Sequence, residues 1–273
     1  MKRGFASVFV NGALAVLTVA SLFPLVWMVS VSFMPAGAAS TLPPPLFPSA
    51  PTLAHYHELL LRAGMLRSLA NSLFLATAVT VCSLAFNTLA GYAFAKLEFG
   101  GRERIFRTLA SSLLIPGQVA MMPLFLLLKT MGLVNTYGGV IVPALAGVFG
   151  IYLVRQYART IPDELIQAAR IDGAGEFRIF TSVILPLLRP VLASLAIFTF
   201  LGSWNDFMWP LVVLADDKLQ TLPVALASLS REHVQDNELM MAGSVLTVLP
   251  VLLLFLALQK HYIQGLVAGS VKG

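Results

Sequence analysis

Residues 160–186 read TIPDELIQAARIDGAGEFRIFTSVILP, a polar and well-punctuated segment in an otherwise apolar chain. Thr160 offers a capping side chain and Pro162 suits a first helical turn. The acidic residues that follow lie at the positive end of the helix dipole. The pattern predicts a short helix that ends near Asp172, where Gly173 provides the stop.

A second amphipathic stretch follows this glycine corner. Phe177, Phe180 and Ile184 are spaced to fall on one face of a helix, and Pro186 is expected to close it. The adjacent small residues and mixed charge of the first helix favour insertion into a groove of a partner protein over a position flat on lipid. The alternative for this segment is a plain connector.

The composition identifies the kind of protein. Of 273 residues, 58% are hydrophobic and only 11% are charged, and the mean hydropathy is +0.83. These values are typical of a polytopic membrane protein. The net charge of +5 falls in short loops between apolar blocks, so it does not indicate nucleic-acid binding. Cys82 is the single cysteine, so no disulfide within the chain is possible.

Six apolar blocks are long enough to cross about 30 Å of hydrocarbon as helices. We therefore predict an all-α polytopic fold. Residues 1–69 are expected to hold the first transmembrane helix and an outer loop, and residues 70–265 the remaining transmembrane domain. The apolar run from Val8 to Met34 is too long for a signal-peptide core, so the first block is expected to remain as a helix. The blocks are 10–33, 70–95, 107–129, 138–158, 190–213 and 241–262.

The positions of basic residues predict the orientation, because Lys and Arg in short loops are retained in the cytoplasm. Of the 18 Lys and Arg residues, 13 fall on one side of the six blocks. Both termini are therefore expected in the cytoplasm. These residues are Lys2, Arg3, Lys96, Arg102, Arg104, Arg107, Arg155, Arg159, Arg170, Arg178, Arg189, Lys260 and Lys272, against Arg62, Arg67, Lys129, Lys218 and Arg231 on the other side.

Prolines and glycines predict irregular regions. Five prolines in 35–66 indicate an extended outer loop, and the many charges in 214–240 indicate a hydrophilic outer segment. Within the spans, breaks survive only where protein or a water-filled cavity satisfies the backbone, although small residues also simply permit close helix packing. The residues concerned are Pro116, Gly117, Pro123, Pro143, Gly147, Gly150 and Pro250.

The spacing within 160–189 resembles the EAA loop of binding-protein-dependent ABC permeases. The matching residues are Gln167-Ala168-Ala169, Gly173, Val183 and Leu185-Pro186. The first position is usually glutamate in this family, so Gln167 keeps the size and hydrogen bonding but loses the charge. The acidic Glu164 lies one turn earlier.

Other segments resemble the carbohydrate branch of that family, similar to the smaller permease of maltose-type importers. They are 89–96 (LAGYAFAK), 135–137 (NTY), 155–157 (RQY) and 203–211 (SWNDFMWPL). The resemblance implies a type I importer permease fold with a cytoplasmic coupling helix between spans four and five. The coupling residues that it implies are Glu164, Gln167, Ala168, Ala169, Asp172, Gly173, Leu185 and Pro186.

The resemblance also implies partners in a bacterial inner membrane. These are a second homologous permease, two ATPase subunits that bind Mg-ATP, an extracytoplasmic solute-binding protein and membrane lipid. The 273 residues contain no G-x-x-x-x-G-K-[ST] phosphate loop, so ATP hydrolysis is expected on the partner and not on this chain. No metal-ligand spacing is evident among its four histidines.

Polar residues inside the spans are candidates for the solute path. An acid within a span is costly unless it faces water, protein or solute, which singles out Asp206. The alternative role of the other candidates is hydrogen bonding between helices or anchoring at the membrane interface. They are Asn71, Asn87, Gln118, Trp204 and Asn205, with Trp209 as an alternative stacking residue.

The function predicted from these features is that of a permease subunit of an ATP-driven importer. It would form half of the path for a di- or oligosaccharide or a related solute. A glycerol-3-phosphate importer permease is the alternative within the family. An ion-coupled secondary transporter half is the alternative from another class, since it also uses broken helices.

We expect reporter fusions after Lys96, after Arg159 and at the C-terminus to read as cytoplasmic, because basic loops are retained on that side. Fusions near Pro48 and Lys218 are expected to read as external. Paired enzyme reporters that are active on opposite sides of the membrane measure this directly. A cytoplasmic reading at Lys218 contradicts the orientation.

Overall fold

A computed structural model describes residues 2–62, 64–232 and 236–270, with side chains for 10–61, 64–230 and 236–256. These residues are largely helical and contain no strand. The α-helices are α1 (Lys2–Ser32), α2 (Ala54–His57), α3 (Met65–Lys96), α4 (Arg102–Ser111), α5 (Met121–Thr130), α6 (Gly138–Ala144), α7 (Val148–Ala158), α8 (Asp163–Ile171), α9 (Glu176–Ile179), α10 (Leu185–Trp204), α11 (Met208–Val213), α12 (Leu222–Glu232) and α13 (Asn237–Ser270). Turns of 3₁₀ helix occupy Ala38–Ser40, Ser112–Leu114 and Gly117–Ala120, and turns of π helix occupy Glu58–Arg62 and Phe180–Ile184.

Five helical segments of the described residues are long and apolar enough to cross a membrane, and a bent pair of helices makes a sixth candidate. The all-α polytopic prediction is therefore confirmed. The segments are Val10–Ser32, Met65–Lys96, Gly138–Ala158, Glu176–Trp204 and Asn237–Leu256, and the pair is Arg102–Leu114 with Gly117–Thr130. Of the basic residues used to predict orientation, Lys2, Arg3, Arg62, Arg231, Lys260 and Lys272 lie outside the described side chains.

The predicted third span, 107–129, is wrong as a single helix. The chain bends by 100° between the helical segments that contain α4 and α5. Ile115 is extended, with φ −91° and ψ 120°. Its successor Pro116 explains this, because a proline disfavours the helical conformation in the residue before it. The break thus follows directly from the local sequence.

The predicted fifth span, 190–213, is wrong at both ends. The helical segment runs from Glu176 to Trp204, and α11 follows as a separate short helix. Pro186 does not close the preceding stretch but lies in the first turn of α10. A proline ring clashes with the carbonyl four residues earlier in an α-helix. The wider π turn at Phe180–Ile184, immediately before α10, gives the chain a way past this clash.

The predicted apolar face of the same stretch is also wrong in one residue. Phe180 and Ile184 are buried, but Phe177 is 79% exposed. The other spans lie close to their predicted positions. The fourth consists of α6 and α7 with a break at 145–147, and the sixth begins earlier than predicted, at Asn237.

The segments predicted as irregular outer loops contain more helix than their prolines indicated. In 35–66, α2 and a π turn follow the prolines, and the ring of His55 hydrogen-bonds the Met34 carbonyl at 2.9 Å. In 214–240, α12 buries Leu222 and Val224. Glu238 is buried as well, and its Oε1 accepts the Ala39 N–H at 2.7 Å.

The chain forms two compact units, Met1–Arg67 with Leu222–Leu253 and Ser68–Thr221 with Leu254–Gly273. The predicted domain boundary after residue 69 stays a prediction. The second unit contains two apolar clusters of buried side chains. One includes Tyr92, Val154, Ile184 and Leu188, and the other includes Leu75, Leu128, Val140 and Val213.

Helices α3 and α7 pack closely against each other at Gly91. A Cβ added there would lie 2.6 Å from Val154 Cγ1 and 3.1 Å from the Arg155 backbone nitrogen. Real side-chain atoms do not pack that closely, and a backbone neighbour cannot move aside cheaply. Gly91 is therefore a steric requirement of this helix pair.

We expect Gly91→Ala to lower the free energy of unfolding by about 1–3 kcal/mol, because overpacking forces the two helices apart. Gly100→Ala is the matched control, since no heavy atom lies within 4 Å of a Cβ at Gly100. Thermal unfolding in detergent compares the two variants with the wild type. Equal unfolding temperatures for both variants contradict the steric requirement.

Candidate functional site

Helix α8 presents most of its side chains to solvent. Ile166 is buried and Ala169 half-buried against the apolar cluster around Tyr92, while Glu164, Gln167 and Ala168 are exposed. The predicted capping residue is wrong: the N-cap position is Pro162, and no side chain caps the helix there. The Thr160 hydroxyl donates instead to the Tyr157 carbonyl at 2.8 Å.

The helix ends at a glycine turn whose geometry is fully described. Gly173 has φ +78°, a conformation that favours glycine. Its N–H donates to the Arg170 carbonyl at 3.0 Å, and the Ala174 N–H donates to the Ala169 carbonyl at 2.9 Å. These two bonds form a Schellman motif, with Asp172 as the C-cap residue. The glycine stop predicted from the sequence is therefore present.

Two large apolar side chains flank this corner and were not predicted as surface residues. Ile171 is 86% exposed and Phe177 is 79% exposed. The sequence offered one signal for their exposure: both apolar residues lie beside the predicted glycine stop, where a helix ends. Leu185 and Pro186, which the resemblance assigns to the same element, lie half-buried in the first turn of α10.

A cavity of about 590 Å³ lies within the second unit. Its lining comes from α3, from the Gly117–Ala120 turn and α5, from α6, α7 and α10, and from the short helix α11. Among its lining residues, Asp206 is the one charged side chain. The polar lining residues are Ser83, Asn87, Gln118, Thr199, Ser203 and Asp206.

Asn87 is buried at the wall of this cavity with half of its amide unsatisfied. Its Nδ2 donates to Ser83 Oγ at 2.8 Å, whereas its Oδ1 has no hydrogen-bond partner. A Cβ at Gly150 would overlap the Asn87 amide. The glycine therefore makes room for this side chain, and the free oxygen is an acceptor without a donor.

Asp206 lies in the gap between α10 and α11. Its Oδ1 accepts the Trp209 backbone N–H at 3.3 Å, and the Trp209 indole donates to the Gly139 carbonyl at 3.0 Å. The carboxylate thus accepts a hydrogen bond from the first turn of α11, and Asp206 also lines the cavity.

Of the other predicted path residues, Gln118 and the alternative stacking residue Trp209 line the cavity, whereas Asn71, Trp204 and Asn205 do not. Asn71 is buried between elements: its Nδ2 donates to the carbonyls of Lys218 and Gln220, and its Oδ1 accepts the Tyr137 hydroxyl. Trp204 is buried, with its ring stacked on Phe200 at 6.0 Å.

Asn205 is exposed and donates to the Leu201 carbonyl at 2.9 Å. Thr199 and Ser203 also line the cavity, although the sequence pattern did not single them out. The available signal was their spacing: Ser203 is three residues before Asp206, and Thr199 is four residues before Ser203, which places such residues on one helix face.

Comparison with known proteins identifies the family. Residues 88–267 match the model of the binding-protein-dependent transport system inner membrane component. The chain belongs to this family. The chain is 40% identical over 256 residues to the arabinooligosaccharides transport system permease protein AraQ of Halalkalibacterium halodurans, covering 93% of this chain and 92% of that protein. It is 35% identical to the lactose transport system permease protein LacG of Rhizobium radiobacter, covering 74% of each.

A solved structure shares the fold of this permease family member. A bacterial ABC transporter that imports the acidic polysaccharide alginate contains a chain that matches with a TM-score of 0.85 and 23% identity, covering 95% of this chain and 97% of that chain. The predicted ABC importer permease fold is confirmed. Family membership also favours the predicted permease over an ion-coupled secondary transporter.

Proposed function

We propose that this chain is the permease subunit of an ATP-driven importer for an oligosaccharide or a related neutral polyhydroxy solute. The observation that carries the proposal is the exposed helix α8 with its glycine stop, which lies within the region matched by the family. Relatives named for arabinooligosaccharide and lactose transport support the solute class.

In this proposal α8 docks into a cleft of a separate ATPase subunit that binds Mg-ATP. The exposed Ala168 lets the helix backbone approach a partner closely, and the apolar Ile171 and Phe177 offer surface to bury. Gln167 can hydrogen-bond but cannot form a salt bridge. The exposed Glu164, one turn earlier on α8, supplies an acidic group on this surface.

The assembly proposed around this chain contains a second homologous permease, two ATPase subunits and an extracytoplasmic solute-binding protein. It lies in a bacterial inner membrane, with both termini of this chain in the cytoplasm. The excess of basic residues on one side of the spans supports this orientation. A structurally similar chain in an alginate transporter complex with a periplasmic protein, at 13% identity, supports the fold of such a subunit.

The charge of the cavity supports a neutral solute. Its lining residues include the carboxylate of Asp206 and several amides and hydroxyls, and none of them is Lys or Arg. An anion such as glycerol 3-phosphate is disfavoured beside an unbalanced carboxylate. Sugar hydroxyls can donate to Asp206 and can bond Gln118, which both line the cavity. This favours the oligosaccharide over the glycerol-3-phosphate alternative.

We expect Gly173→Asp to abolish uptake and solute-stimulated ATP hydrolysis while insertion into the membrane is retained. A side chain at φ +78° strains the turn by about 1–2 kcal/mol, and the added charge lies next to Asp172 on the docking surface. Proteoliposomes that hold the complete complex, with its solute-binding protein, measure uptake and ATP hydrolysis together.

Gly175→Asp is the matched control, because it adds the same charge two residues away at an ordinary φ of −72° with no heavy atom near the new Cβ. Normal uptake by Gly173→Asp means that this segment is a plain connector. ATP-independent uptake by the wild type, driven instead by an ion gradient, overturns the proposed function itself.

We expect Asp206→Ala to reduce uptake by about tenfold or more, since a hydrogen bond to a charged group contributes about 1.5–3 kcal/mol. Asp206→Asn keeps an acceptor for the Trp209 N–H and isolates the effect of the charge. The neighbouring Asn205→Ala is the control, because Asn205 does not line the cavity. Assembly and basal ATP hydrolysis are measured in parallel. Wild-type uptake by Asp206→Ala removes this residue from the path.

A further inference from the structure

The last turn of α3 contacts the start of α8 through a buried lysine. Lys96 Nζ donates to Asp163 Oδ1 at 2.6 Å and to the Ile161 carbonyl at 2.5 Å. The Lys96 side chain is only 5% exposed, whereas that of Asp163 is 71% exposed. The ammonium group is therefore fixed within the protein, and it holds the first residue of α8.

One turn earlier on α3, a tyrosine is linked to the other end of α8 through a glutamate of α9. The Tyr92 hydroxyl donates to Glu176 Oε2 at 3.3 Å. Glu176 Oε1 accepts from Arg170 Nε at 2.9 Å and pairs with Arg170 Nη2 at 2.7 Å. Arg170 lies in the last turn of α8, and Glu176 begins α9. The ring of Tyr92 packs on Phe180 at 5.2 Å, which holds the hydroxyl in place.

These two contacts span α8. Lys96 holds the residues at its N-terminus, and Tyr92 holds its C-terminal turn through the pair of Glu176 and Arg170. Because Tyr92 and Lys96 are four residues apart, they lie on one face of α3. These contacts therefore connect both ends of α8 to one face of α3.

The same helix reaches the cavity. Asn87 lies five residues before Tyr92 on α3 and is one of the residues that line the cavity. The hydrogen bonds of a continuous α-helix make it stiff over such a distance. Gly91, between the two residues, packs α3 tightly against α7. The segment from Asn87 to Lys96 thus has cavity contacts at one end and α8 contacts at the other.

From this arrangement we infer that Tyr92 and Lys96 are positioning residues that transmit movement of α8 to the cavity through α3. The inference rests on the proposed function, since it requires that the ATPase moves α8. Both side chains are buried within this chain, and neither of them lines the cavity. Their loss uncouples the two events without preventing either one.

The test uses Tyr92→Phe, which removes one hydroxyl and keeps the ring, and the double variant Tyr92→Phe/Lys96→Met. The complete complex is reconstituted in proteoliposomes with its ATPase and solute-binding protein. We expect ATPase co-purification and basal ATP hydrolysis at wild-type levels. The number of solutes imported per ATP hydrolysed should fall by about fivefold or more in the double variant, in the range of typical coupling energies between sites.

Two further variants separate positioning from a general loss of stability. Arg104→Met removes an exposed positive charge from α4 and is expected to leave the import ratio unchanged. Lys96→Arg keeps the positive charge and the hydrogen-bond donors, whereas Lys96→Met removes them. With Tyr92 unchanged, we expect the Lys96→Arg complex to import more solutes per ATP than the Lys96→Met complex and to come close to the wild-type ratio. If Tyr92 and Lys96 only stabilise the fold, the unfolding temperature and the import ratio fall together in their variants, and the positioning role is overturned.

The outcomes distinguish this inference from the proposed function. If the wild-type complex shows ATP-driven uptake and the double variant imports as many solutes per ATP, the inference is overturned and the proposed function stands. If Tyr92→Phe alone prevents assembly with the ATPase, the positioning role is also overturned. If the wild-type complex shows no ATP-driven uptake, the proposed function fails first.

Discussion

The satisfaction of backbone hydrogen bonds in a lipid environment is the constraint on which the rest of this structure depends. No water is available there, so irregular backbone persists only where protein or a wet cavity receives it. The chain breaks its spans at 115–116, at 145–147 and at 205–207. Each break contributes to or adjoins the lining of one cavity, through Gln118, Gly147 and Asp206. The breaks and the cavity are thus two aspects of the same requirement.

This constraint also explains which parts of the fold the sequence could predict. Hydropathy located the spans because burial in lipid acts on every residue of a crossing helix. It could not locate the bend at Pro116 or the end of α10 at Trp204, because the apolar block continues through 208–213 beyond the break. A hydropathy average counts apolar residues without regard to the direction of the chain. The prolines predicted weak points, but the angle between the segments depends on tertiary packing.

The candidate site shows the same division between local and tertiary information. The stop at Gly173 was predictable because a helix end is set by a few neighbouring residues. The cavity lining was not. Asn71 and Asn87 belong to the same helix and look alike in sequence. The Nδ2 of Asn71 donates to the distant carbonyls of Lys218 and Gln220, whereas the Oδ1 of Asn87 has no hydrogen-bond partner. Only the packing of remote segments makes that difference.

Stiffness and looseness are therefore distributed unevenly through the second unit. Helix α3 is continuous from Met65 to Lys96 and is packed so closely on α7 at Gly91 that the pair has little freedom to slide. Arg155 adds to this, since its Nε donates to the Phe94 carbonyl at 3.2 Å. The short helices α5, α6 and α11, which lie next to the breaks, also contribute to the lining of the cavity. A displacement that enters through a rigid helix pair must be absorbed where the backbone is discontinuous, and those discontinuities are the segments that surround the cavity.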